Sequence, residues 1–344
     1  MASTGDKNNE HGEPIDLDIN GRQVRVTSPQ KIFFSKLGAT KLDLIKFYAS
    51  IEGPLLAAVG GRPTLMQRFP DGASGKNFFQ KRVPKGAPKW LETADVSTPN
   101  GTTSNALVLA DLAHVVWAVN LGCLGFHPWP YQAARPAVTN ELRIDLDPQP
   151  GTSFDQVKEA ALAVRDLFAD FGVDTHPKTS ASKGIHIHAR LEERWDSYDV
   201  RAAAVAAARE LEQRRPDLLI AAWWKKERGE RIFVDFNQNA PHKTVFGAWS
   251  VRARVGGQVS TPFRWEEMPD IAIDDFTIAT VPARVEANGD PWEAMHTQRS
   301  DLTSLLELSA TQRAAGFQDA PWPPQYPKQP HEPSRVAPSQ AKPD

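Results

Sequence analysis

In LRIDLD, residues 142–147, apolar and charged side chains alternate over six positions, the period of a strand with one buried face. GIHIHARL, 184–191, repeats the pattern, with Ile185, Ile187 and Ala189 set against His186, His188 and Arg190. A third strand is predicted in RIFVDF, 231–236, where Asp235 lies on the face opposite Ile232, Val234 and Phe236. Between these strands the apolar spacing changes to three and four. Thr152 or Ser153 caps a helix with apolar positions Phe154, Val157, Ala161, Val164, Phe168 and Phe171, and Gly172 ends it. Ser197 opens an alanine-rich helix that Pro216 stops, and Thr40 begins a shorter one through Asp43, Leu44 and Tyr48 to about Ile51. Strands around the acids with helices between them predict an α+β architecture of β-sheets flanked by helices, not a doubly wound sheet.

The pattern fades at both ends of the chain. Residues 1–14, MASTGDKNNEHGEP, are polar and are expected to be a disordered N-terminus, followed by one domain over 15–318. Residues 319–344 are expected to be a proline-rich disordered tail, because from Ala320 onward eight of 25 residues are proline. In that tail Trp322 and Tyr326 are either anchors for a partner or part of a solvated end.

The chain has 344 residues, of which 40% are hydrophobic and 24% charged, enough for a sizeable core. No apolar run approaches the roughly 18 residues of a membrane helix, and no signal peptide is evident, so a cytoplasmic protein is expected. The single cysteine, Cys123, excludes an intramolecular disulfide and a multi-cysteine zinc site. Its surroundings, HVVWAVNLGCLGF, read as buried. Net charge is −2, yet residues 61–92 carry seven Lys/Arg against two acids and residues 221–254 seven against three. The stretch 264–310 reverses this, with three against ten. Local basic surface on a neutral protein is the footprint of a localised polyanion site.

The chemistry begins with Asp145 and Asp147. Two residues apart on a strand, they project from one face roughly 6–7 Å apart, and each disfavours the other's ionisation unless a cation lies between them. All-oxygen ligands suit magnesium and manganese, not zinc. Asp235 supplies a third acid, and three carboxylates from strands can hold two divalent ions for in-line phosphoryl transfer. Polymerases and nucleases both use such a site. KTSASKGIHIHARL adds Ser180 and the Lys183-Gly184 turn ahead of His186, a set suited to phosphate oxygens. DFNQNAPHKTVFGAWSVRAR brings Gln238, Asn239, Lys243, Thr244, Ser250 and Arg252 within eighteen residues of the third acid. His188 reads as a surface histidine, and His186-x-His188 lacks a nearby soft ligand for metal binding. A metal-dependent nuclease and a non-catalytic nucleic-acid-binding module remain rival readings.

The succession Asp145-x-Asp147, Ser180-x-x-Lys183-Gly184-x-His186, and Asp235-x-x-Gln238-Asn239 with Lys243-Thr244 and Ser250-x-Arg252 resembles the primase-polymerase domain of bacterial ligase D, of the archaeo-eukaryotic primase superfamily. SPQKIFFSKLGATKLDLIKFY (28–48), RFPDGASGKNFFQKRVP (68–84) and GFHPW (125–129) extend the similarity over roughly 15–270. The resemblance implies a primase-like catalytic core and a monomeric, template-dependent nucleotidyltransferase that fills short DNA gaps in repair and prefers ribonucleotides. It implies that Asp145, Asp147 and Asp235 bind two Mn²⁺ or Mg²⁺ ions. Ser180, Lys183, Gly184, His186 and Arg252 would hold the nucleotide, with His127 near the ribose and Gln238 and Lys243 in support. Phe78 and Phe79 would stack on template bases, Arg68, Lys81 and Arg228 would contact DNA, and Lys31 and Lys41 would grip a downstream 5′-phosphate. Primer synthesis and end joining are alternative roles. Gapped or 5′-phosphorylated DNA and NTP or dNTP are the expected partners, with a separate ATP-dependent ligase or Ku beside them. Ala181 stands where the family has glycine, His188 and Arg190 replace more apolar residues, and no Lys-x-Asp-Gly adenylation motif is present, so a stand-alone relative of actinobacterial type is expected.

Overall fold

The computed structural model describes residues 11–335. Its strands are β1 (Ile15–Ile19), β2 (Arg22–Val26), β3 (Ile32–Phe34), β4 (Ala39–Thr40), β5 (Pro63–Arg68), β6 (Phe78–Gln80), β7 (Thr93–Ser97), β8 (Thr103–Val108), β9 (Cys123–Pro128), β10 (Glu141–Asp147), β11 (His176–Thr179), β12 (Ile185–Arg190), β13 (Leu219–Ile220) and β14 (Ile232–Asp235). The helices are α1 (Lys41–Ser50), α2 (Glu52–Val59), α3 (Leu112–Asn120), α4 (Phe154–Asp170), α5 (Ser197–Arg214), α6 (Lys225–Arg228), α7 (Val281–Asn288), α8 (Glu293–Thr297) and α9 (Thr303–Ala314). Two five-stranded sheets result. One runs β11-β12-β10-β14-β13, and the other runs β6-β5-β8-β7 with β9 paired to β5. All neighbours are antiparallel except β13 and β14. The α+β reading is therefore correct.

The alternation of LRIDLD decides which way β10 faces. Leu142, Ile144 and Leu146 are fully buried under α4 and α5, while the charged positions line the opposite face. Ser153 caps α4 by accepting from Gln156 N, and Val157, Val164, Leu167 and Phe168 bury its inner stripe at about 1.5–3 kcal/mol each. Asp196, one residue before the expected start, caps α5. β14 ends at Asp235 because the chain turns there into a 3-10 turn at 236–239. Among the described residues no helix is long and apolar enough to cross a membrane.

Residues 320–335, expected to be disordered, are instead packed against α5 and the 236–242 turn, with Trp322 and Tyr326 buried beside Ala240. The proline count forbids a helix or strand but not docking, since prolines give up little conformational freedom when they pack. Residues 1–10 of the N-terminal segment and 336–344 of the tail lie outside the described residues. Cys123 is buried and its thiol is pushed up by burial.

Candidate active site

Antiparallel registry brings the distant acids together. Asp145 in central β10 faces Asp235 of β14 on one side and His186 of β12 on the other. Opposed residues in such a pair have Cβ atoms about 4.5–5.5 Å apart, so the two carboxylates crowd each other. Burial first, then Asp235 and Asp147, push the Asp145 pKa up to about 7, against the opposing pull of Lys178 and Arg252. Asp235 is likewise raised by burial, although Asn237 N (2.9 Å) and Gln238 Nε2 (2.7 Å) donate to its two oxygens. Asp147 stands apart. It is exposed, and Arg228 Nη1 approaches its Oδ2 at 3.4 Å.

Among the described residues no three His, Cys, Asp or Glu side chains are gathered into a metal-ligand cluster. Asp147, two residues on from Asp145 along β10 and opposite Phe233 of β14, lies at the exposed rim of the facing pair. The pair fits a hard divalent ion, since two half-buried carboxylates that repel each other are relieved by positive charge.

His186 is buried in the sheet instead of lining an open phosphate site. Its Nε2 lies 3.4 Å from Asp145 Oδ1, and its Nδ1 shares a hydrogen bond of 2.9 Å with Lys178 Nζ. Lys178, which the sequence reading missed, is buried and also donates to Ser260 Oγ at 2.7 Å. Burial, then the Arg252 charge, hold its amine well below the ordinary lysine range. Farther along β10, Glu141 and Arg143 continue the polar face into a buried ionic cluster. Glu141 meets Arg62 at 3.1 Å, Arg143 at 2.8 Å, His188 at 3.0 Å and Arg190 at 3.6 Å. His188 is therefore no surface histidine, and burial lowers its pKa to about 4.

The 180–184 turn closes over the site. Ser180 Oγ accepts from Ser182 N at 3.2 Å and Gly184 N at 3.0 Å, leaving its hydroxyl hydrogen to donate outward. Arg252 Nε donates to Ser180 O at 2.9 Å, and Lys183 is exposed at the bend. Gly184 is required sterically, since a Cβ there would lie 2.5 Å from Leu146 O on the acid-bearing strand. Ala181 is fully buried at φ 55°, a left-handed conformation costing about 1–2 kcal/mol for a non-glycine residue. Ala181→Gly removes that strain but also a buried methyl worth about 0.8 kcal/mol, so thermal unfolding should shift by less than about 1 kcal/mol. Ala181→Val should lose more than about 2 kcal/mol through β-branching at positive φ and overpacking.

An aromatic row leads outward from this turn. Arg252 lies 3.8 Å over the Phe246 ring, Phe246 meets His127 at 5.1 Å, and His127 meets Phe79 at 5.4 Å. Burial lowers the His127 pKa to about 3, so it is neutral. Phe78 and Phe79 are about half exposed, at 47% and 56%, and Arg68 lies 5.1 Å over Phe78 while donating to Leu121 O and Gln80. Phe246 gave no signal in the sequence, where an apolar ring reads as core. Lys81 and Lys243 are partly exposed, and the Lys243 charge reaches Asp235.

Two expected DNA contacts are corrected. Arg228 is buried, packed 3.6 Å over Phe233 and donating to Trp223 O, so its remaining reach is to Asp147. Lys41 directs its ammonium at Thr27 O, Asn120 O and Asn120 Oδ1. Three donors with three acceptors leave none for a phosphate. Burial, then Lys31, lower its pKa to about 8. Lys31 is partly exposed and pairs with Asp71 at 2.9 Å.

Comparison with known proteins places the chain in a family. The family model described as LigD, primase-polymerase domain, matches residues 40–292. The multifunctional non-homologous end joining DNA repair protein LigD of Mycobacterium tuberculosis is 33% identical over 282 residues, 80% of this chain and 37% of that protein. The bifunctional non-homologous end joining protein LigD of Bacillus subtilis is 29% identical over 288 residues, 83% of this chain and 46% of that protein. The chain thus spans less than half the length of these relatives. The solved polymerase domain from Mycobacterium tuberculosis ligase D in complex with DNA is similar at a TM-score of 0.76 and 31% identity, covering 80% of this chain and 99% of that one.

Proposed function

The chain belongs to the ligase D primase-polymerase domain family, whose members are nucleotidyltransferases acting on DNA, and from that premise we propose that it extends primers across short template gaps in DNA repair. The observation that carries the proposal is the facing pair Asp145 and Asp235 next to the Ser180–Gly184 turn and the row from Arg252 to exposed Phe79. In this reading the acids would serve phosphoryl transfer, the turn would take phosphate oxygens and the exposed rings would stack on an unpaired base. Asp145, Asp147 and Asp235 would hold two Mn²⁺ or Mg²⁺ ions. Those ions supply charge neutralisation for the attacking and leaving oxygens. Ser180 and Lys183 would donate to phosphate oxygens, with Arg252 holding the turn and Gln238 holding Asp235. Ser180 and neutral His127 would offer hydrogen-bonding groups to a ribose 2′-hydroxyl, the basis for expecting a ribonucleotide preference.

Arrangement around the far end of a gap rests on Lys31, with Lys41 acting from below through its charge and its hold on the 27–31 loop. A terminal phosphate carries close to two negative charges, so it competes with Asp71 for Lys31 better than an internal one does. Both non-homologous end joining and excision-repair gap filling present such an end. The test is a gapped DNA with a 5′-phosphate or 5′-hydroxyl, Mn²⁺, and rNTPs or dNTPs. Extension with pyrophosphate release, faster with rNTPs, is expected. Degradation instead of extension would identify a nuclease on the same acids. Lys31→Glu should erase the advantage of the 5′-phosphate and leave a simple recessed primer nearly unchanged. Equal loss on both substrates would overturn the end-sensing role.

A further inference from the structure

Residues 319–335 lie beyond the residues matched by the family model, and their contacts converge on the turn that follows Asp235. We infer that this segment is a strap that, through Arg201 and Asn237, holds the 236–239 turn and so positions the Asp235 carboxylate. The inference rests on the reading of Asp235 as an ion-binding acid.

The guanidinium of Arg201 on α5 is shared between turn and strap. Its Nε donates to Asn237 Oδ1 at 2.9 Å, its Nη1 to Asp319 Oδ1 at 3.0 Å and its Nη2 to Ala320 O at 2.8 Å. The indole of Trp322 lies 3.9 Å beneath it and donates to Asp319 Oδ2 at 2.7 Å. Asn237 then donates from Nδ2 to Pro321 O at 3.0 Å and from its backbone N to Asp235 Oδ1 at 2.9 Å. A single residue, Asn237, therefore bridges the strap and a carboxylate oxygen, and Arg201 adds a second link from the strap to Asn237. Farther on, the Tyr326 hydroxyl donates to Pro241 O, and the Tyr326 and Trp322 rings close over Ala240.

The opposite side of the turn is already tied down. Asn239 Nδ2 donates to Arg143 O at 2.7 Å, and Asn239 Oδ1 accepts from Arg143 N at 2.8 Å. The turn is thus clamped between β10 and the strap, and Gln238 between them donates to Asp235 Oδ2. The strap also closes on itself, because Glu332 accepts from Trp322 N at 2.9 Å, Gln329 N at 3.0 Å and Arg335 at 2.7 Å. Its prolines lose little entropy on docking, which suits a segment that must hold a shape without a helix or strand. Partners that orient an ion-binding side chain typically affect ion affinity or activity by 10–100-fold.

The test inserts a protease site between Ala315 and Gly316, both exposed, in the full chain and compares cut with uncut protein. Trp322→Leu with Tyr326→Phe, left uncut, is the second variant. Mn²⁺ binding is read from the paramagnetic resonance of unbound ion, and kcat and KM for primer extension are measured beside the melting temperature. Releasing the strap should weaken Mn²⁺ binding and lower kcat, each by about tenfold or more, with KM for DNA little changed. A synthetic peptide of residues 317–335 should restore both. Unchanged kcat and Mn²⁺ affinity in both variants would overturn the strap. A parallel fall of kcat, DNA affinity and melting temperature with no rescue by peptide would show packing alone and overturn it too. If the intact protein binds no Mn²⁺, the ion assignment fails, and the kcat and peptide-rescue measurements decide the strap by themselves.

Discussion

Asp145→Asn and Asp235→Asn should each reduce primer extension by at least about 100-fold, about 2.7 kcal/mol of transition-state stabilisation, while DNA binding persists. Each substitution removes one charge from the facing pair without changing its volume, so the sheet stays closed. Asp145→Asn should also stabilise the ion-free protein, and the sign follows from its titration. The carboxyl ordinarily ionises at 3.8 and in the fold only at about 7, so between those values the folded state holds more proton than the unfolded one. Stability of the native protein therefore falls as pH rises from about 4 to about 7 and then levels. The gain from Asp145→Asn should grow over that window and plateau above it. Thermal melts in chelator at pH 4.5, 6 and 8 check this. A variant that keeps extension above a few percent of the native rate, or one that is no more stable than native protein at pH 8, would remove Asp145 from the centre of the site.

Glu141→Gln should produce the largest loss of stability among conservative substitutions in the sheet, about 3–5 kcal/mol. Burial by itself would raise the Glu141 pKa, but Arg143, Arg62 and His188 hold it well below the usual carboxylate range. Taking away its charge leaves three buried guanidinium groups, Arg62, Arg143 and Arg190, without an anion. The damage should reach the site, because Arg143 Nη1 donates to Pro128 O at 2.9 Å and so ties the strand of His127 to the strand of Asp145. Denaturant unfolding measures the loss, with exposed Glu227→Gln expected within about 0.5 kcal/mol of native. A loss below about 1 kcal/mol for Glu141→Gln would mean that the cluster is hydrated and contributes little.

The alternation of LRIDLD, GIHIHARL and RIFVDF determined three strands and the face each turns to the core, and the helix around Val157 to Phe168 followed from three-and-four spacing. These are local properties, since a side chain's direction follows from backbone period. The acids were legible because two carboxylates on one strand face repel each other unless a cation lies between them. Registry between strands distant in sequence was not legible. It placed Asp235 opposite Asp145 but left Asp147 beside Arg228, and it turned His186 inward onto Lys178. His188 read as solvated because charge on an alternate position normally faces water, whereas Trp292 beside α8 and the Glu141 cluster, tied through Arg143 to Pro128 O, make that face interior. The fate of the proline-rich segment was decided the same way. Composition excluded a helix or strand, whereas docking depended on Arg201, Asn237 and Pro241, which lie 80 or more residues upstream of their partners and meet them only when the domain is folded.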